Sequence, residues 1–589
     1  MHNGVLWEKV FSLLVYPVKS CRLFFLFAWL MCCAVCFVGN RIGTETDFPL
    51  TFLMSLSDCY FLCVLLSLLK KIRLGWIVYV PVVLLFFSEL FVIFFNHSLY
   101  NRYAVQLLLE TDGREGSEFV KSVFFQPETF WGLGITLTIV ICSYLAFRMM
   151  RKVLASRSFV RKTCLLLLSC WIVFALFFQI PSYGKLYNCF HAADAIACET
   201  EECMPWLVTP VVRFVYGIAY NSVLSTTELK TLVTSIEETR IDSCSFRCPF
   251  ILLVIGESYN KHHCYLYNKT GFPNTPKLQK KADEGNLVPY MDVVSPFNHT
   301  HAVFKYMFST WDDTCSDSWT KHTLFTAAFK KAGYNVFFVT NQFTKKTDDK
   351  YNVLGGTIFN QKRLSELQFT GRNEEEHSFD ADLLSDIPPV KELTSAPTLL
   401  IVQLLGQHVA YKDRYPADKK VFKPSQVKSP FAVTDDQKDI AADYENATHY
   451  NDSVIDSLFN MFEGTDMVAL YFADHGEEVF DWREKFMRTD EDELLPEVAH
   501  YQYEIPFMFY MTDDFLEHHE DIATNIRNAA GRPFILTDLP HLLFYLGGIG
   551  MEDYCEEKNL LSPDYDVQRK RIIRGSIDYD KLMLDFKKR

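Results

Sequence analysis

The chain has 589 residues, 49% apolar and 15% aromatic, with a formal net charge of −14. It is too long for one compact core and too apolar for a purely soluble protein. With no basic block outside short loops near its start, the acidic balance argues against nucleic acid as a partner.

The apolar excess lies in the first third, where five stretches, at about 23–38, 50–69, 75–95, 130–147 and 163–180, each approach the length that crosses a hydrocarbon core as a helix. The first could be read as a cleaved leader, but four more follow, so it is expected to stay. Cations cluster before the first span (Lys9, Lys19, Arg22), between the second and third (Lys70, Lys71, Arg73) and between the fourth and fifth (Arg148, Arg151, Lys152, Arg157, Arg161, Lys162). By the positive-inside rule these segments face the cytoplasm, and everything after about Pro181 emerges on the outer side. The loop 97–129 alternates apolar and charged residues at near-helical spacing and reads as amphipathic helix on the membrane surface. Residues 181–248 read as a mostly polar connector with helical stretches.

From residue 249 to 589 the pattern changes to short apolar runs between amphipathic helices: "FILLVIGES", "NVFFVTNQ", "TLLIVQLLGQH", "MVALYFADHG" and "IPFMFYMT". Such runs indicate an α/β domain with a central sheet covered on both faces. Eight cysteines lie beyond the spans (Cys189, Cys198, Cys203, Cys244, Cys248, Cys264, Cys315, Cys555), an even set expected to form disulfides in an oxidising compartment.

Two of the apolar runs end in chemistry. "FILLVIGES" closes on Glu257 and "VALYFADHGEEVF" on Asp474 and His475. Alone, Glu257 is as readily a helix-capping group as a ligand. Together, two carboxylates and one imidazole are a normal ligand set for zinc with a position left for substrate.

The ordered motifs "GESYNKHHCYLYNKTGFPNTPKL", "GNLVPYMDVVSP", "KKAGYNVFFVTNQ", "SFDADLL", "GQHVAYKDRYP", "YNDSVIDSLFN", "ADHGEEVFD" and "YEIPF" resemble those of the bacterial phosphoethanolamine transferases. That resemblance implies a multi-domain protein of the Gram-negative inner membrane: a five-helix transmembrane domain at 1–180, then a periplasmic sulfatase-like domain of the alkaline phosphatase superfamily at 249–589. It implies Zn2+ held by Glu257, Thr300, Asp474 and His475, with Thr300 of "FNHTHAVF" as nucleophile. A hydroxyl is a weak nucleophile unless a base or metal activates it. His408 matches a histidine that contacts the phosphoryl group or manages a proton, and His500 is a further catalytic candidate, although Glu504 stands where some relatives place that histidine. Thr111 and Glu115 match positions for the ethanolamine headgroup, where a carboxylate faces an ammonium, while Leu107 replaces a family asparagine. "HHC", His262 to Cys264, is read as a surface or disulfide segment. The implied donor is phosphatidylethanolamine, and the implied acceptor lipid A, a lipopolysaccharide core sugar or another envelope glycan. Two alternatives stand beside this: a phosphoglycerol transferase of the same fold, and a catalytically inactive lipid-binding scaffold. A sulfatase is disfavoured, since no C/S-x-P-x-R segment occupies the nucleophile position.

Overall fold

The computed structural model describes residues 12–42, 48–96, 99–110, 116–117, 120, 127–156, 158–191, 208–342, 357–489, 493–584 and 586. The chain divides into two compact units, Met1–Thr227 with Asp490–Asp492, and Glu228–Thr489 with Glu493–Arg589.

The described part of the first unit is helical: α1 (Arg22–Ile42), α2 (Phe48–Lys71), α3 (Trp76–Asn96), α4 (Arg102–Glu110), α5 (Pro127–Ser156), α6 (Ser158–Cys189) and the start of α7 (Pro210–Glu238). Among the described residues four helices, α1, α2, α3 and α5, are long and apolar enough to cross a membrane. The fifth expected span falls in α6, several of whose side chains lie outside the described residues. Met31, Cys63, Phe86 and Leu90 pack at the centre of this bundle, while Leu137, Met149 and Phe177 are exposed, as befits helices solvated by lipid. Buried acids here are matched by partners. Asp58 accepts from Gln179 Nε2 at 3.0 Å and Thr209 Oγ1 at 2.8 Å, and Glu89 pairs with Arg213 Nη2 at 2.6 Å.

The second unit is built on a seven-stranded mixed sheet. Its strands are β1 (Phe250–Gly256), β2 (Leu287–Tyr290), β3 (Asn335–Thr340), β4 (Gly371–Arg372), β5 (Thr398–Gln403), β6 (Met467–Ala473) and β7 (Phe507–Met511), in spatial order β2-β7-β6-β1-β5-β3-β4. The five from β6 to β4 run parallel, β7 lies antiparallel to β6, and β2 lies antiparallel to β7 and so runs with the five. Every residue of β1, β5 and β6 is buried, which is why these segments read as unbroken apolar runs rather than alternating ones. Among the helices of this unit are α8 (Thr300–Phe308) and the long α9 (Asp435–Met461), which starts at a Thr434–Gln437 capping box and buries Val454, Ile455 and Leu458 in the core.

The disulfide expectation is not met among the described residues. Cys244, Cys248, Cys264, Cys315 and Cys555 are free thiols, Cys189 is bridged to none of them, and Cys198 and Cys203 lie outside the described residues. Four of the free thiols sit beside oxygen acceptors instead, for example Cys264 Sγ at 3.9 Å from Thr275 Oγ1 and Cys315 Sγ at 3.6 Å from Asp312 Oδ1.

Candidate active site

Register decides which side chains meet. In the β1/β6 pair Gly256 stands opposite Ala473, so the next residues, Glu257 and Asp474, leave the carboxyl ends of adjacent parallel strands side by side. Ligands of open α/β sheets collect at such ends. The strand ends are locked together: Asp474 N–H donates to Gly256 O at 3.0 Å, and Ser258 N–H to Asp474 Oδ1 at 3.2 Å. Gly256 itself is required by close approach, because a Cβ there would lie 2.3 Å from Tyr471 Oη. Ser258 takes a left-handed conformation (φ +54°), a strained backbone held by Tyr444 Oη on its carbonyl at 2.8 Å.

Glu257, Asp474 and His475 are all buried, and one ligand atom from each lies within 4.8 Å of the others. His475 Nδ1 is 2.8 Å from Gly476 O, which can only accept, so Nδ1 carries the proton and Nε2 offers a lone pair. Nε2 is 3.2 Å from Glu257 Oε1 and 3.3 Å from Asp474 Oδ2. Thr300 begins α8, where the helix N-terminus favours negative charge. Its hydroxyl donates to Glu257 at 3.0 Å and lies 3.3 Å from His475 Nε2. The candidate ligands Glu257, Thr300, Asp474 and His475 thus come together although they derive from three separate segments.

Burial pushes both carboxyls up, but they part company. At Glu257 the His475, His408 and Arg488 side chains outweigh burial and hold the group well below the usual carboxylate range. Asp474, buried and facing the Glu257 charge, is pushed well above it. Burial and the Arg488 guanidinium hold His475 down to about 4, so it is neutral near pH 7. A set of two adjacent carboxylates and a neutral imidazole, with Asp474 Oδ2 buried and without a hydrogen bond, fits a divalent cation, which would relieve the repulsion between the two acids.

The other candidates are distributed as follows. His408 is buried on the loop after β5, whose approach to Glu257 needs Gly406 in the left-handed region (φ +53°), since a Cβ there would meet Glu257 N at 2.9 Å. Burial holds His408 down to about 3, with the Glu257 charge opposing. His500, on α10 (Pro496–Gln502), does not touch Glu257, Thr300, Asp474 or His475 among the described residues. It lies 2.9 Å from Glu504 Oε1 and stacks on His262 with ring centres 3.8 Å apart. Lys261 and Tyr579 also bond Glu504. So "HHC" brings His262 to a Glu504 cluster and His263 between Glu445 and Asp481. Thr111 and Glu115 lie outside the described residues.

Three residues not singled out from sequence complete the site. Arg488 Nη1 is 2.7 Å from His475 Nε2, 3.1 Å from Ser258 Oγ and 3.3 Å from Glu257 Oε1. Gln342 Nε2 donates to Glu257 Oε2 at 3.2 Å and Leu404 O at 3.0 Å. Asp380 accepts from Leu405 N–H and Gly406 N–H at 2.9 and 2.8 Å and from Asn341 Nδ2 at 2.9 Å, fixing the His408 loop to the end of β3. The motifs "TNQ" and "SFDADLL" contain two of these; nothing in "KFMRTD" marks Arg488.

Comparison with known proteins bears on the fold and the relatives of the chain. The Sulfatase family model matches residues 249–533. Phosphoethanolamine transferase EptC of Escherichia coli O18:K1:H7 is 28% identical over 357 residues, 56% of this chain and 57% of that protein, so the chain spans little more than half of that relative's length. Phosphoethanolamine transferase CptA of Salmonella typhimurium is 24% identical over 513 residues, 81% of each chain. Among solved structures, the C-terminal periplasmic domain of EptC from Escherichia coli in complex with Zn matches with a TM-score of 0.50 and 26% identity, over 59% of this chain and 96% of that one. The integral membrane lipooligosaccharide phosphoethanolamine transferase A of Neisseria meningitidis shares the fold with a TM-score of 0.55 at 17% identity, over 91% of this chain and 97% of its own. Residues 249–533 are thus a sulfatase-family domain, in a chain whose relatives by sequence are bacterial phosphoethanolamine transferases.

Proposed function

We propose that the protein is a zinc-dependent phosphoethanolamine transferase of the Gram-negative inner membrane, anchored by five spans within 1–180 and joined through 181–248 to a periplasmic catalytic domain at 249–589. It takes phosphoethanolamine from phosphatidylethanolamine and passes it to lipid A or another envelope glycan. The observation that carries this reading is the Thr300 hydroxyl, 3.0 Å from Glu257 and 3.3 Å from His475 beside the buried Asp474 carboxyl.

In the first half-reaction Thr300 Oγ1 attacks phosphorus, the P–O bond to diacylglycerol breaks with the threonine proton ending on the departing oxygen, and a phosphoethanolamine-threonine remains. In the second an acceptor oxygen attacks the same phosphorus and Thr300 recovers its proton. Zinc held by Glu257, Thr300, Asp474 and His475 would lower the hydroxyl pKa and neutralise charge on the phosphoryl oxygens. Arg488, beside His475, is proposed to offer its guanidinium to the same oxygens, and His408, neutral and buried, to manage the proton of the leaving or entering oxygen. Thr111 and Glu115 are proposed to hold the ethanolamine ammonium, and His500, through the Glu504 cluster, to act at most from a distance.

Intact mass after incubation with zinc and phosphatidylethanolamine tests this directly. The expected result is a phosphoethanolamine adduct on the parent and none on Thr300→Ala. A glycerophosphate adduct from phosphatidylglycerol would make the protein a phosphoglycerol transferase, and no adduct from either lipid would leave the scaffold reading.

A further inference from the structure

A cavity of about 1120 Å³ opens within the helical unit, far in sequence from every residue of the active site. Five cations line it, Lys19, Arg22, Lys70, Arg73 and Arg151, and no carboxylate does. Among the described residues none of the five has an ion-pair partner; Lys70 Nζ donates to the Ser20 carbonyl at 3.4 Å. Their clustering follows from the topology. Lys19 stands just before α1 and Arg22 at its start, Lys70 at the end of α2, Arg73 in the turn before α3, and Arg151 near the end of α5, so successive helix ends bring five positive charges to one end of the bundle. Beside them the walls are Phe24, Trp76, Tyr79 and Phe147, an apolar and aromatic lining.

We propose that this cavity binds an anionic glycerophospholipid of the inner leaflet, of the phosphatidylglycerol or cardiolipin class, with its phosphate among the cations and its acyl chains along the aromatic walls. The inference rests on the membrane-spanning reading of the helical unit but not on the transferase reading. Unpaired cations gathered at a membrane surface repel one another, and a lipid phosphate is the counter-ion in highest supply there. Lys and Arg at a headgroup depth, next to an aromatic layer, match such a lipid along its whole length. A lipid held at the cytoplasmic ends of the spans is a resident one, distinct from the donor of a periplasmic domain.

The test uses the full chain in nanodiscs containing equal phosphatidylglycerol and phosphatidylcholine, released into native mass spectrometry. Phosphatidylglycerol should remain on the parent, and the Lys70→Gln/Arg73→Gln/Arg151→Gln variant should hold it about a hundredfold more weakly. The charge-preserving Lys70→Arg/Arg73→Lys/Arg151→Lys variant should hold it as the parent does, which separates loss of charge from loss of fold. Equal retention of the two lipids, equal retention by the Gln variant, or displacement by inorganic phosphate would overturn the proposal. Failure to enter nanodiscs at all would instead overturn the membrane-spanning reading.

Discussion

Arg488 shows how much one side chain adds to a site that is otherwise legible. Its Nη1 touches an imidazole, a hydroxyl and a carboxylate of the cluster, so its guanidinium contacts both of Thr300's partners, Glu257 and His475. If it clamps the phosphoryl oxygens, Arg488→Gln should lower kcat about a hundredfold with little change in KM, and Arg488→Lys should recover part of the loss. A kcat within a factor of about two of the parent would assign Arg488 a purely structural role. The sequence displays Asp474 and His475 because a strand delivers them, and strands are visible as apolar runs. Arg488 comes from an irregular segment thirteen residues past His475, where no periodicity reports direction. His500 is a candidate through the family resemblance alone, and α10 turns it towards Glu504.

At the scale of elements, His263 ties three together. Its Nδ1 is 2.5 Å from Glu445 on α9 and its Nε2 2.7 Å from Asp481 in the segment after β6, while its own turn follows β1. Burial pushes the imidazole pKa down, but the Asp481 and Glu445 charges overcome this and hold it well above its ordinary value. A group with a raised folded pKa contributes its full stability below its unfolded pKa of about 6.5 and loses it as pH rises through the folded value. Thermal melting of the parent should therefore fall with pH above about 6.5, and that slope should be absent in His263→Gln. An identical pH slope in both would remove His263 as its cause. Strands and the turn after β1 are legible here as an apolar run ending at a glycine, but adjacent histidines carry no mark that distinguishes His262 from His263. Their different fates are set by a helix more than 170 residues away.

For the whole molecule, the division into an apolar helical part and an α/β part is visible in the distribution of hydrophobic residues, because a bilayer and a sheet core demand different lengths of apolar chain. Disulfide pairing is not, since it depends on distances that sequence does not carry. Glu257, Thr300 and the Asp474–His475 pair join three distant segments of the second unit, so an ion bound there should brace all of them. With free zinc at about a hundred times its Kd, the native state gains about 2.7 kcal/mol by mass action. Calorimetry of the purified protein should show the melting of the α/β unit shifted down by chelation and restored by zinc. A melting curve indifferent to chelator would count against a structural contribution from the metal.

The side-by-side exit of Glu257 and Asp474 also sets a clock. Ser258 and Asp474, bonded in the finished site, are 216 residues apart. At ribosomal speeds of about 5–20 residues per second, β1 waits roughly 10–40 seconds before β6 exists to pair with it. Through that interval a wholly apolar strand lacks the neighbour it will share most of its length with, and the site's chemistry cannot begin in any partly made chain. The sheet that makes the site precise also makes it late to form, a consequence of parallel, long-range pairing that folds slowly and favours a chain kept from its own kind during synthesis.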